Sequence, residues 1–161
     1  MFKIGDLVVY PAQGVGVIEA IEEKEVTKEK QLFYIIKILS NSMKIMIPIS
    51  CADAVGLRDL ILKEEIPKVY DILREKDVTV DKQTWNKRYK EYLDKIKTGS
   101  IFEIAGVLRD LFILKSDKDL SFGERKMMDT AKNLLVKEIS VASKSEETKI
   151  EQDLQTIFAM Q

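Results

Sequence analysis

The sequence contains no histidine, a single cysteine and one tryptophan among its 161 residues. Histidine is the commonest metal ligand and general base in proteins, so its absence excludes zinc sites and Ser-His or Cys-His nucleophilic catalysis in their usual forms. The lone Cys51 cannot form a disulfide within the chain. No apolar run approaches the roughly 20 residues of a membrane-spanning helix. These absences predict a protein that is neither an ordinary enzyme nor a membrane protein, and no cofactor or metal is expected.

An excess of charge of one sign is also lacking, because 26 Lys and Arg residues are balanced by 27 Asp and Glu residues. A net charge of −1 argues against nucleic acid as a partner when the chain is taken as a whole. The charges are nevertheless unevenly distributed. Residues 67–115 carry 11 basic and 8 acidic side chains, whereas the regions before and after them are both net acidic. The overall balance therefore conceals a basic region in the middle of the chain.

The first fifty residues or so have the pattern of short β-strands. Strands are predicted where β-branched and aromatic residues are concentrated, namely over 7–10, 14–22, 32–39 and 43–47. Within the second of these, Gly14 and Gly16 indicate a bend or a close backbone approach. Four or five short, bent strands are typical of a small β-barrel, which covers its own edges.

From Leu57 onward, apolar residues recur with helical spacing. Ser100 and Ser121 are each followed three residues later by glutamate, which is the capping-box signature of a helix start, and Ser145 is a further candidate cap. Helices are predicted over 57–63, 67–75 and 85–98, from 101, over 122–142 and after Ser145. The predicted fold class is therefore α+β, with a β-barrel over 1–54, a connecting segment over 55–66 and an all-helical domain over 67–161.

The only tryptophan stands at a predicted helix start, in the sequence Trp85-Asn86-Lys87-Arg88-Tyr89-Lys90. In one interpretation, an amphipathic helix buries the stripe Trp85, Tyr89, Tyr92 and Ile96, and its cations are solvated. In the other, the cations hold a nucleic-acid backbone while the indole wedges against a base step. Cations in a first helical turn are disfavoured by about 0.3–1 kcal/mol each, while the free N–H groups there attract phosphate. The residues alone leave both interpretations open.

Four blocks of the sequence, in order along nearly the whole chain, resemble the CarD/CdnL family of bacterial transcription regulators. The blocks are Phe2-Lys3-Ile4-Gly5-Asp6-Leu7-Val8-Val9-Tyr10-Pro11 with Gly14 and Val15-Gly16-Val17-Ile18; Met46-Ile47-Pro48 followed by Val55-Gly56-Leu57-Arg58-Asp59; Trp85-Asn86-Lys87-Arg88-Tyr89-Lys90; and Leu120-Ser121-Phe122-Gly123-Glu124-Arg125-Lys126. The resemblance agrees with the architecture predicted above, a small β domain followed by a helical domain.

The resemblance implies a Tudor-like or SH3-like N-terminal domain that docks on the β subunit of bacterial RNA polymerase. It implies that the helical domain contacts promoter DNA at the upstream edge of the melted region, through Trp85, Lys87, Arg88 and Lys90. The indole would press into the minor groove, with little sequence readout. The position of Lys87 is often arginine in relatives, and a lysine there keeps the attraction for phosphate but loses the planar fork. The expected function is stabilisation of the open complex by a cytoplasmic, monomeric protein that reaches the nucleoid through RNA polymerase.

The RNA polymerase-binding residues implied by the resemblance are Lys24, Met46 and Pro48. Some members carry arginine where this chain has Met46, so the contact there is expected to be apolar rather than ionic. From the residues alone, Met46 could equally face the core of the barrel, and Pro48 could simply end a strand. The alternative function is a protein-interaction adaptor that does not bind DNA, in which Trp85 is buried and the cations of its helix are solvated.

Overall fold

The computed structural model describes residues 1–75, 85–117 and 119–159, and the backbone alone of residues 85, 86 and 117. The chain forms two compact units, Met1–Leu60 and Ile61–Gln161. The first, the β unit, is built around an antiparallel sheet, and the second, the helical unit, is built from helices. The predicted α+β class, with the β domain first, is confirmed.

The β unit contains a five-stranded sheet in the order β4-β3-β2-β1-β5, with every neighbouring pair antiparallel. All four strands predicted from the sequence are present, and the longest two differ from the prediction at the hairpin that joins them. The strands are β1 (Leu7–Tyr10), β2 (Gly14–Val26), β3 (Glu29–Ile38), β4 (Lys44–Pro48) and β5 (Arg58–Asp59). Strands β4 and β5 therefore lie at the two ends of this strand order.

One face of the sheet carries the core of the β unit. Tyr34, Ile36 and Ile38 of β3 are at most 1% exposed and belong to one apolar cluster with Ile18 of β2 and Ile47 of β4. Because successive residues of a strand point to opposite faces, the residues between them face away from this core.

Gly16 is required by the packing of β2 against β3. A Cβ atom at this position would lie 2.7 Å from Cγ2 of Ile36 and 3.0 Å from the carbonyl oxygen of Lys37. The first separation is far shorter than the roughly 3.5–4.0 Å that two carbon atoms in contact favour. The close backbone approach predicted for this glycine is confirmed.

The β2–β3 hairpin extends further than the sequence predicts. Its turn consists of Thr27 and Lys28, both with positive φ (49° and 67°), as two-residue turns of the I′ type require. The turn could not be predicted from the sequence, because neither residue is the glycine or asparagine that such turns favour. Next to the turn the strand residues are exposed and mostly charged, and Lys30 pairs with Glu23 across the hairpin at 3.7 Å. Backbone pairing and charge, rather than apolar burial, hold this end of the sheet.

The helix predicted over 57–63 is wrong. The short helix α1 (Ala52–Val55) ends at Gly56, whose φ of 87° is left-handed. Arg58 and Asp59 then pair with Val9 and Val8 as β5.

The helical spacing of Leu57 and Ile61 misled that prediction, because the two residues belong to different cores. Leu57 is buried in the core of the β unit, whereas Ile61 and Ile66 are buried in the core of the helical unit. The predicted connecting segment 55–66 therefore contributes residues to both units.

The helical unit contains five α-helices in its described part, close to the predicted ranges. They are α2 (Ile66–Arg74), α3 (Trp85–Lys97), α4 (Ile101–Asp117), α5 (Phe122–Ser143) and α6 (Glu147–Ala159). Their apolar faces meet in one cluster, in which the most completely buried leucines are at most 2% exposed: Leu73, Leu108, Leu111, Leu135 and Leu154.

The capping box predicted at Ser121 is confirmed. Its Oγ accepts a hydrogen bond from the N–H of Glu124 at 3.2 Å, and Oε1 of Glu124 accepts one from the N–H of Ser121 at 3.1 Å. The capping box predicted at Ser100 is wrong: helix α4 begins directly after Ser100, but the N–H of Ser100 donates to Oγ1 of Thr98 at 3.3 Å. Helix α6 begins at Glu147, two residues after Ser145. The start of α5 is thus fixed by two reciprocal bonds.

Polar side chains also join distant parts of the helical unit. Oε2 of Glu138, a residue that is 3% exposed, accepts a hydrogen bond from the N–H of Ile61 at 2.8 Å. The hydroxyl of Tyr70 in α2 donates to Oδ2 of Asp153 in α6 at 3.1 Å. Burial, reinforced by the charge of Asp153, raises the pKa of Tyr70 to about 12. This hydroxyl therefore keeps its proton, and remains a donor, throughout the neutral range.

Candidate nucleic-acid interface and docking face

Two of the residues predicted to bind DNA, Lys87 and Lys90, have exposed side chains in the first two turns of α3. Their predicted contact with DNA stays a prediction. The side chain of Trp85 lies outside the described residues, although its backbone begins α3. Its predicted role as a wedge therefore stays a prediction.

The predicted buried stripe of α3 is buried at its C-terminal end. Tyr92 is 4% exposed and Ile96 is 2% exposed, whereas Tyr89 is 43% exposed. Burial raises the pKa of Tyr92 well above its usual value, the charge of Asp110 adds to this, and the Arg88 guanidinium opposes it. Tyr92 is thus a neutral core residue, while Tyr89 presents part of its ring to solvent.

Arg88 is buried, and this position contradicts the exposed guanidinium that a DNA contact would need. The residue is 5% exposed, and its Nη2 lies 3.6 Å from Oε2 of Glu124, which is itself 1% exposed. The helical period explains the difference, because Arg88 lies one turn before Tyr92 and shares its inward-facing side. We therefore correct the DNA-binding prediction for Arg88 to a structural role.

The same pair explains why a cation is tolerated near the start of α3. The helix dipole disfavours a positive charge there. From the sequence alone, a bound phosphate was the group expected to offset this unfavourable position. In the structure, the carboxylate of Glu124 supplies the negative charge at 3.6 Å. For Arg88, the unfavourable position is therefore balanced within the protein.

The Arg88–Glu124 pair joins the start of α3 to the start of α5. Arg88 is the fourth residue of α3, and Glu124 is the third residue of α5 and part of its capping box. Two helix N-termini, each with partial positive charge and free backbone N–H groups, are therefore neighbours. This end of the helical unit is suited to an anionic partner.

Three exposed residues at the start of α5 were not among the predicted site residues. Phe122 is 75% exposed, although it is a large apolar residue, and Arg125 and Lys126 are exposed beside it. The sequence contained a signal that Phe122 is exposed. The capping box makes Phe122 the first residue of the helix, outside the apolar stripe that begins with Met127. We call Lys87, Lys90, Phe122, Arg125 and Lys126 the basic surface.

The residues predicted to bind RNA polymerase share one face of the sheet. Lys24 lies opposite Gln31, and Met46 lies opposite Ile35, four residues further along β3. Pro48 lies opposite Phe33, between these two positions. Residues of a strand separated by two or four positions point to the same side, and directly paired residues do so too. Lys24, Met46 and Pro48 therefore all face away from the core, on what we call the outer face.

Met46 is the most prominent apolar residue of the outer face. It is 51% exposed and lies on β4, an end strand in the order of the sheet. Pro48 is half-buried, and Lys24 pairs with Glu22 at 3.8 Å while remaining about half exposed. The strand rise of about 3.3 Å per residue separates the registers of Lys24 and Met46 by about 13 Å along the sheet. The alternative in which Met46 faces the core does not occur.

Within the described ranges, no three acidic or cysteine side chains are grouped as a metal site would require. Cys51 is exposed. No helix in the part of the chain that the structure describes is both long and apolar enough to cross a membrane.

Comparison with known proteins matches the two units to two family profiles. Residues 2–61 match the CarD-like/TRCF RID domain, and residues 68–155 match the CarD C-terminal domain. A Bacillus subtilis (strain 168) protein described as "Putative transcription factor YdeB" is 44% identical over 149 residues, which cover 88% of this chain and 92% of the relative.

Two solved structures from Myxococcus xanthus are also similar. One is the N-terminal part of CdnL, with 52% identity over 38% of this chain and 86% of that one, at a TM-score of 0.33. The other is the 72-residue N-terminal domain of CarD, with 36% identity over 37% of this chain and 79% of that one, at a TM-score of 0.32.

Proposed function

We propose that this chain, which belongs to the CarD family and is a transcription regulator, connects RNA polymerase with promoter DNA. The β unit docks on the β subunit of the polymerase through the outer face, with Lys24, Met46 and Pro48 in the contact. The helical unit binds DNA at the upstream edge of the melted region and stabilises the open complex. No enzymatic step is part of this proposal.

The observation that carries the proposal is the meeting of two helix starts with exposed cations on both. Lys87 and Lys90 on α3, and Arg125 and Lys126 on α5, are exposed. The 3.6 Å contact between Arg88 and Glu124 joins the turns that bear them. Cationic side chains and free backbone N–H groups are the two features that attract phosphate, and both occur at this end of the unit.

Aromatic residues give this surface a means of distinguishing opened from closed DNA. Phe122 is 75% exposed and Tyr89 is 43% exposed, and Trp85 begins α3. An aromatic wedge pays a few kcal/mol to unstack a base step, and less where the edge of a bubble is already unpaired. The surface would therefore bind the opened junction better than the closed duplex, which shifts the equilibrium toward the open complex.

The overall charge of −1 limits the affinity for free DNA. Nonspecific affinities alone are about 10⁻⁴–10⁻⁶ M. A polymerase-bound β unit would make the DNA contact effectively intramolecular, at an effective concentration near millimolar for a short connection. A weak site then acts at promoters and is silent elsewhere.

The test removes two charges from the basic surface by Lys87→Gln together with Lys90→Gln. The control removes two exposed charges elsewhere in the helical unit, by Lys68→Gln with Lys144→Gln. We expect the first variant, and not the control, to shorten the lifetime of the promoter open complex. On free DNA, the salt dependence of log K should weaken by about 2, because each phosphate contact contributes about 0.9.

The binding of each variant to RNA polymerase is measured in the same preparations. Both variants should bind the polymerase as the wild type does, since the outer face is unchanged. Equal open-complex lifetimes for the two variants would instead favour the adaptor that does not bind DNA. Failure of the wild-type chain to bind polymerase would refute the docking part of the proposal.

A further inference from the structure

A buried ion pair is an unusual element in the core of the helical unit. Arg88 and Glu124 are 5% and 1% exposed, in a unit whose buried side chains are mostly aliphatic or aromatic. Taking two charges out of water has a large cost, and replacing such a pair by apolar groups of similar volume is often neutral or stabilising. Stability alone therefore does not account for the pair.

The position of the pair is informative. Arg88 follows Lys87 directly and precedes Lys90 by two residues, and Glu124 lies between Phe122 and Arg125. Each partner is thus surrounded in sequence by the exposed residues of the basic surface. A rotation or a slide of α3 against α5 would change the spacing of the cations on the two helices.

An ion pair restrains such motion better than apolar packing does. Apolar contacts are non-directional, so a helix can slide over them with little change in energy. The Nη2 atom of Arg88 and the Oε2 atom of Glu124 lie 3.6 Å apart, and a displacement that separates them leaves two buried charges less compensated. Glu124 is itself held in place by its capping-box bond to the N–H of Ser121 at 3.1 Å.

We infer that Arg88 and Glu124 are positioning residues, which fix the start of α3 against the start of α5 so that the two halves of the basic surface match DNA together. This inference rests on the proposed function. It assigns to the pair an effect on DNA binding that is separate from its effect on folding.

The test replaces the pair by neutral residues of similar size, through Arg88→Met together with Glu124→Gln. Methionine is a flexible, unbranched apolar residue, and glutamine can still close the capping box. We expect the thermal midpoint of the double variant to stay near that of the wild type, while the lifetime of the open complex falls about threefold to tenfold, as expected for coupled groups. The matched control is Arg74→Met with Asp71→Asn, which removes an exposed pair with a separation of 3.5 Å.

An open-complex lifetime equal to that of the wild type, at an equal thermal midpoint, would overturn the inference. If the double variant does not fold, Arg88→Lys takes its place, because lysine keeps the charge and loses the fork. An unchanged lifetime in a folded Arg88→Lys protein would overturn the inference in the same way. Failure of the proposed function is detected separately, since then Lys87→Gln with Lys90→Gln would also leave the lifetime unchanged.

Discussion

The β unit and the helical unit differ in what positions their exposed residues: backbone pairing in the first, and buried side-chain contacts in the second. In the β unit, whose 60 residues are all described, the buried residues are apolar, tyrosine or glycine. Backbone pairing sets the register, and the register decides that Lys24, Met46 and Pro48 share the outer face. In the helical unit, the charged residues Arg88, Glu124 and Glu138 are buried.

This difference has a consequence for how each surface responds to substitution. A face set by backbone pairing keeps its geometry when one exposed side chain changes, because the ladder of hydrogen bonds is unaffected. A surface set by buried side-chain contacts depends on individual residues. The helical unit should therefore be sensitive at its buried polar positions, and the β unit at positions where the backbones of two strands approach closely.

The largest effect is expected from Glu138→Ala in the helical unit. Oε2 of Glu138 accepts from the N–H of Ile61 at 2.8 Å in a buried setting. Removing the acceptor leaves a buried donor unsatisfied, and we expect the free energy of unfolding to fall by about 3 kcal/mol. Urea denaturation measures this loss. Amide hydrogen exchange should show that the loss is confined to residues of the helical unit.

Glu138→Gln is the matched variant, because its amide oxygen can still accept the hydrogen bond. It should lose less than half as much as the alanine variant. A general loss of protection from hydrogen exchange in both units after Glu138→Ala would show that the two units unfold together.

The second effect is expected in the β unit from Gly16→Val. The new Cβ would lie 2.7 Å from Cγ2 of Ile36, so β2 and β3 would have to move apart. Overpacking of this kind costs about 2 kcal/mol. Protection from hydrogen exchange should fall in β2 and β3. The control is Ala20→Val at a half-buried position on the outer face of β2, and a similar loss there would show that added bulk rather than the close approach at Gly16 is responsible.

The parts of the fold that could be predicted are those in which local pattern and tertiary packing agree. The core of β3 alternates as Tyr34, Ile36 and Ile38, and the start of α5 carries a complete capping box at Ser121. The strand over 32–39 and the helix start at Ser121 were predicted because the residues needed for each pattern are local. The turn at Thr27 and Lys28 was missed because its residues carry no local preference for positive φ.

In the candidate site, too, only the features that depend on local sequence could be predicted. Helical periodicity brings Lys87 and Lys90 to the surface, and it equally takes Arg88 inward beside Tyr92. The partner that makes a buried Arg88 possible, Glu124, lies 36 positions along the chain, so no local pattern could identify it. A cation at a helix start is therefore ambiguous in a sequence, because a distant carboxylate and a phosphate compensate it equally well.

The smallest effect is expected from Tyr70→Phe, and it depends on pH. At neutral pH the variant loses the hydrogen bond to Asp153, which should cost about 1 kcal/mol. The pKa of Tyr70 is raised from 10.0 to about 12 by burial and by the charge of Asp153. Between these values the unfolded chain loses the proton before the folded protein does, so the contribution of Tyr70 is complete below pH 10 and is lost as the pH rises toward 12.

The wild type should therefore lose stability more steeply than Tyr70→Phe above pH 10, and the gap between the two proteins should narrow. Urea denaturation of both proteins at several pH values from 7 to 11 measures this gap. Tyr92, whose pKa is also raised by burial, is present in both proteins, so the difference isolates Tyr70. Parallel curves over that range would show that neither burial nor Asp153 raises the pKa of Tyr70 in the folded protein. In that case α2 and α6 would be joined by apolar contacts alone, and the contrast between the two units would rest on the buried charged residues.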